Sequence, residues 1–156
     1  MSKIVIISDF VYPNYVGGSA KTVYNTIVGF HENKIDYLLI TRKGKGIYSI
    51  NEKDDFFEME RLKGKIIEIK SPFDIIKTFK YIKKEDILYI HHPILGAFYS
   101  LLPNKRFFFF HGPLHEEYKL KPNSNKVGYI TRYLMQKFVI NRSKEIFVYS
   151  EYMKNI

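Results

Sequence analysis

The amino-acid sequence predicts an α/β fold: a doubly wound, mostly parallel sheet of about six strands with helices on both faces. Three observations carry that prediction. Short apolar runs rich in Ile, Val, Tyr and Phe alternate along the chain with helical patterns. The first run, Ile4-Val5-Ile6-Ile7, has no polar residue to turn toward water, which marks a central strand covered on both faces. No internal repeat, low-complexity tract or Pro/Gly-rich linker divides the 156 residues, so residues 1–156 read as one domain.

The elements follow in order. After the first strand, Ser19 is placed to cap a helix whose Val23, Ile27 and Phe30 recur at i, i+4 and i+7. Residues 35–40 (Ile35-Asp36-Tyr37-Leu38-Leu39-Ile40) form a second strand, and the charged, mixed stretch 42–63 carries no periodic pattern. Lys65-Ile66-Ile67-Glu68-Ile69 is a third strand. Ser71-Pro72 then opens a helix, with proline at the first helical position, where its missing N–H costs nothing. Along this helix Phe73, Ile76, Phe79 and Ile82 are expected on one side, with Lys77, Lys80, Lys83 and Lys84 largely on the other. Strand 87–90, a short apolar helix near 94–102 and the buried strand Arg106-Phe107-Phe108-Phe109-Phe110 come next. A longer helix from about Lys126 to Asn141, with Ile130, Tyr133, Leu134 and Phe138 on its apolar side, leads to a sixth strand, Glu145 to Tyr149.

Composition narrows the class. A content of 46% hydrophobic and 17% aromatic residues in 156 argues for a sizeable core and against disorder. There is no cysteine, which excludes disulfides and cysteine-ligated zinc and fits a reducing compartment. No apolar run approaches the length of a membrane span, and the first residues lead directly into a strand instead of a signal peptide, so a cytoplasmic protein is expected. The net charge of +9 is uneven: residues 105–144 hold nine Lys or Arg against Glu116 and Glu117, +7 in that segment. Such a field attracts phosphates, nucleic acid or an anionic membrane surface, and it is equally what a lysine-rich solvated surface looks like. Nucleic acid is not expected as a partner, because no reader motif accompanies the cations and the aromatics pattern as core strands.

In a doubly wound sheet, ligands collect beyond the carboxyl ends of the strands. The residues ending strands here are Asp9, Thr41, His91 with His92, His111 with Gly112, and Ser150. The loop after the first strand brings Gly17-Gly18-Ser19 to a helix N-terminus, where backbone N–H groups and the helix dipole favour an anion such as a phosphate. Neither G-x-G-x-x-G nor a P-loop is present, since Ala20 stands where a P-loop needs glycine before Lys21-Thr22. The glycine pair is therefore either an anion cradle or a plain strand-to-helix turn. His111 can reach a phosphate or sugar hydroxyl from its strand end, or can simply terminate the strand. His91, His92, His111, His115 and Glu116 are of metal-ligating type, but H-x-x-x-H in a loop lacks the helical register of metalloenzyme motifs, so no metal site is expected. Ser150 reads as the N-cap of a helix opening at Glu151.

Taken together, three pieces resemble a known family. A short first strand followed by Asp9-Phe10-x-x-Pro13 and the Gly17-Gly18 loop, a strand ending His111-Gly112-Pro113-x-x-x-Glu117, and Ile146-Phe147-Val148-Tyr149-Ser150-Glu151-Tyr152-Met153 look like the N-terminal domain of family 4, GT-B fold, retaining glycosyltransferases. The resemblance spans the whole chain. It implies a Rossmann-like half of a two-domain enzyme that transfers a sugar from a nucleotide-sugar donor to a glycan or lipid-linked acceptor, without metal or other cofactor. By the same resemblance, Gly17, Gly18 and Ser19 lie near the donor diphosphate and acceptor, and His111 contacts the donor sugar and steadies the transition state. Asp9, His92, Gly112 and Ser150 line the cleft. The E-x7-E motif and the second, nucleotide-binding domain of the family are missing from these 156 residues. The chain alone is therefore expected to lack activity unless a second polypeptide completes it. The other readings are a binding module for an acceptor, membrane or partner, or another GT-B enzyme such as a nucleotide-sugar epimerase. Peripheral contact with the inner face of an anionic membrane accompanies the transferase reading.

Overall fold

A computed structural model of the chain describes residues 2–12, 17–42, 66–113, 118, 120 and 125–149. Strands and helices alternate: β1 (Ile4–Ser8), α1 (Gly18–Glu32), β2 (Tyr37–Arg42), β3 (Ile66–Ile69), α2 (Pro72–Thr78) with a 3₁₀ turn (Phe79–Tyr81), β4 (Ile87–Ile90), α3 (Pro93–Tyr99), β5 (Arg106–Phe110), α4 (Lys126–Arg142) and β6 (Glu145–Val148). The six strands form one sheet in the order β3-β2-β1-β4-β5-β6, every neighbouring pair parallel. This is the α/β, Rossmann-like arrangement expected from the sequence, and its strand order reverses between β1 and β4.

The unbroken apolar strand β1 is central, as its composition requires: Val5, Ile6 and Ile7 are fully buried. Val5 and Ile7 join Leu38, Ile40, Leu88, Ile90 and Phe108 in the larger core, closed by Leu95 and Tyr99 of α3 and Val139 of α4. On the opposite face Ile6 and Leu39 pack under Val23, Tyr24 and Ile27 of α1. Phe30 completes this side against Tyr37 and Tyr89. The alternating register of β5 buries Arg106, Phe108 and Phe110 and leaves Phe107 and Phe109 half-buried, in contact with Tyr89 and Phe147.

At the amino edge of the sheet, polar groups act as clamps. Asp86 accepts from the Lys3 backbone N–H, the Lys3 ammonium and the Lys83 N–H at 3.0, 2.7 and 2.8 Å. Burial works to raise its pKa, but the bonds from Lys3 and Lys83 outweigh it and hold the carboxyl below its ordinary value. Asn104 donates to the carbonyls of Lys83, Lys84 and Asp86. Arg106 is buried and gives its guanidinium to the carbonyls of Ser100, Leu102 and Asn104. One cation of the basic segment therefore serves the fold and is withdrawn from the surface field.

Several local expectations change. Ser19 is not the N-cap of α1: Gly17 holds that position, and no side chain caps the helix among the described residues. Strand β2 starts at Tyr37, with Ile35 left exposed, and ends at Arg42. In α2 the expected apolar row is split, since Ile75 and Thr78 face the core while Phe73 and Ile76 are exposed. In α4 the expected apolar side, Ile130, Tyr133 and Leu134, faces outward, and Gln136 and Val139 are buried instead. Residues 43–63 and the end of the expected third-strand approach at Lys65 lie outside the described residues, as do Ser150 and the helix expected after it.

Candidate functional site at the strand carboxyl edge

Strands β1 and β4 separate the two windings of the sheet, and the residues that end them meet. Asp9, one residue beyond β1, is buried, and its Oδ2 contacts Nδ1 of His92 and accepts from the Leu95 backbone N–H at 3.2 Å. His92 is the N-cap residue of α3, Pro93 its first residue and Leu95 its third. Asp9 thus provides from β1 the carboxylate that α3 lacks at its own N-terminus, where the helix dipole favours negative charge. The other oxygen, Oδ1, makes an ion pair with Arg42 Nε at 2.6 Å; the contact is close in distance but not aligned as a hydrogen bond. The Arg42 side chain remains about half exposed. The ring of His92 is fixed from the side by an edge-on contact with Phe10, centroids 5.0 Å apart.

One strand further on, His91 at the end of β4 faces His111 at the end of β5. His91 Nδ1 and His111 Nε2 are 3.2 Å apart. His91 stacks flat on Phe109 at 4.4 Å, and His111 stacks on Tyr149 at 5.0 Å. Burial, helped by the neighbouring His111, pushes the His91 pKa down to about 3. Burial, helped by His92, pushes His111 down to about 4. Both imidazoles are therefore neutral at pH 7, and a single proton is shared across the contact.

Which ring donates follows from the surroundings. His91 Nε2 is buried without a hydrogen-bond partner. Were Nε2 the protonated nitrogen, a buried N–H donor would be orphaned; a bare lone pair there is the cheaper defect. The favoured arrangement has His91 Nδ1–H donating to His111 Nε2, which places the His111 proton on Nδ1. That atom meets no partner among the described residues, so His111 retains a neutral N–H donor, with His91 as the group that sets its tautomer. A donor of this kind suits an oxygen that gains charge during a reaction, or a phosphate or hydroxyl oxygen in a bound ligand.

The glycine loop lies at the same edge. A Cβ built on Gly18 would meet nothing within 4 Å, and no described glycine lies in the left-handed region. Gly17 is in extended backbone with φ 169°, which any residue adopts. The fold itself thus does not demand a glycine at 18. Ser19 is half-buried within the first turn of α1, and Gly112 is half-buried directly after His111.

Sequence reasoning identified Asp9, His92 and His111 as strand-end residues, and the fold brings all three to one edge. It missed Arg42, whose signal was its place at the end of β2, and the positioning role of His91. Of the expected metal-type cluster, His115 and Glu116 lie outside the described residues, and among those described no group of three His, Cys, Asp or Glu is arranged to hold a metal. Also among the described residues, no helix is long and apolar enough to cross a membrane.

Compared with known proteins, the chain matches no family model and no curated protein.

Proposed function

We propose that this chain is the acceptor-side, Rossmann-like half of a retaining glycosyltransferase, acting on a nucleotide sugar and a glycan or lipid-linked acceptor. The observation that carries the reading is the neutral His111 N–H donor held by His91 at the carboxyl edge, beside the switch point where Asp9 organises His92, Arg42 and the start of α3. Transfer with retention passes through an oxocarbenium-like centre and a departing diphosphate, both of which need preorganised dipoles more than a strong nucleophile. His111 would donate to the donor sugar, and the N-terminus of α1 at Gly17, Gly18 and Ser19 would face the diphosphate or the acceptor. Gly112 and His92 would form the floor between them. No metal or cofactor takes part in this scheme; a second Rossmann-like domain would supply most of the nucleotide contacts. Location is cytoplasmic, with peripheral contact at an anionic membrane.

The purified 156-residue protein is expected to transfer no sugar from a panel of nucleotide sugars by itself, whereas transfer appears when a nucleotide-binding domain is added in cis or in trans. Transfer by the chain alone would overturn the half-enzyme reading. In the completed enzyme His111→Ala lowers turnover by roughly 100-fold or more, the usual weight of one oxyanion-type donor. Release of an altered nucleotide sugar with no acceptor product would instead identify an epimerase.

A further inference from the structure

The 3₁₀-capped helix α2 turns two large apolar side chains into solvent. Phe73 is 76% exposed and Ile76 is 68% exposed. The helix does not need them for its attachment: Ile75 is buried, Thr78 Oγ1 meets Tyr99 Oη at 2.6 Å, and Phe79 packs edge-on against Tyr99 at 5.5 Å. On a wheel of about 100° per residue, Phe73, Ile76, Lys77 and Lys80 fall within one sector of the outer surface. Lys77 and Lys80 are exposed, and Lys70, Lys83 and Lys84 are exposed at the two ends of the segment. The carboxylate of the helix, Asp74, is turned back onto the Ser71 hydroxyl and N–H, which hold its pKa below the ordinary value, and its other oxygen pairs with Lys77 Nζ at 3.4 Å, while Lys77 stays exposed. The outer surface of residues 70–84 is thus apolar at its centre and cationic around it.

We propose that this face of α2 and the 3₁₀ turn is a docking surface for an anionic lipid membrane. Phe73 and Ile76 would enter the headgroup boundary, while the lysines keep their stems along the apolar layer and their ammonium groups on lipid phosphates. Charge decides for this occupant: a second copy of the chain, net +9, would bring the same lysines face to face. Because α2 starts directly after β3, Phe73 sits at the carboxyl edge of the sheet, the edge that holds the candidate site. Docking there would present that edge to a ligand carried in the membrane. The inference deepens the membrane contact of the proposed function but does not depend on glycosyl transfer, so vesicle binding and transfer assays succeed or fail separately.

The test is co-sedimentation of the full chain with phosphatidylcholine vesicles containing phosphatidylglycerol, against phosphatidylcholine alone. Binding is expected only to the anionic vesicles. Lys77→Gln with Lys80→Gln should weaken it roughly 25-fold, about fivefold per cation. Phe73→Ser with Ile76→Ser should weaken it roughly tenfold or more with an unchanged circular dichroism spectrum, since neither side chain is in the core. Val127→Ser with Leu134→Ser, on the exposed side of α4, should leave it intact. Equal binding to neutral vesicles, binding that survives the α2 variants, or loss only in the α4 variant would each overturn the proposal. So would absence of vesicle binding together with a dimer that Phe73→Ser dissociates.

Discussion

His91 is the residue on which the candidate site turns, because it fixes a neighbour and at the same time makes the fold sensitive to pH. Its pKa of about 3 and that of His111, about 4, lie below the ordinary 6.5. The unfolded chain therefore takes up protons at these two rings before the folded chain does. Their contribution is complete above pH 6.5 and is lost as pH falls from 6.5 through about 4 toward about 3. Urea denaturation followed between pH 7 and 4 should show falling stability, and His91→Phe, which keeps the stack on Phe109, should make that fall shallower. Parallel slopes for the two proteins would remove His91 from this role. Asp9 gives a second residue-scale prediction. Asp9→Ala strips the carboxylate from the start of α3 and from Arg42, and should cost about 2 kcal/mol in the same measurement, as for a hydrogen bond to a charged group. A change within a few tenths would mean that the α3 N-terminus needs no such cap.

At the scale of elements, the packing of α3 on β4 depends on a missing side chain. A Cβ on Gly96 would stand 2.3 Å from Ile90 Cγ2 and 3.6 Å from Val139 Cγ2, both in the core. Gly96→Ala should therefore destabilise by about 1–3 kcal/mol, the usual cost of overpacking, even though alanine is the better helix former. A stabilised variant would show that α3 stands further from the sheet. The strands were legible in the residues themselves: β1 is an unbroken apolar run because the core packs on both its faces, β5 is a run of phenylalanines after Arg106, and their limits in the structure match within a residue or two. Helix faces were not. The α-helix ends at Thr78 and the chain passes through a 3₁₀ turn, so the even steps of three from Phe73 and Ile76 to Phe79 and Ile82 do not stay on one side: the first two are in solvent and the last two pack against the core. Ile130, Tyr133 and Leu134 do share one side of α4, but periodicity cannot tell which side meets α3, and the contact went to Gln136 and Val139.

For the molecule as a whole, the strand order explains why the candidate site was partly readable. Every parallel strand delivers its last residue to one edge, and the reversal between β1 and β4 opens a crevice there, so Asp9, His92 and His111 could be singled out from position alone. The pairing of Arg42 with Asp9 and of His91 with His111 could not, because both depend on side-chain directions that no linear spacing encodes. The same edge gathers the α1 N-terminus and, through α2, the apolar and cationic outer face. The most direct test of the central claim is a titration of the isotope-labelled chain with a nucleotide sugar, followed by amide and imidazole NMR signals. Shifts confined to Gly17–Ser19, His92, His111 and Gly112, with His111 Nδ1 remaining the protonated nitrogen, are the predicted result. Shifts located elsewhere on the molecule, or none at millimolar ligand, would contradict a ligand site at the carboxyl edge.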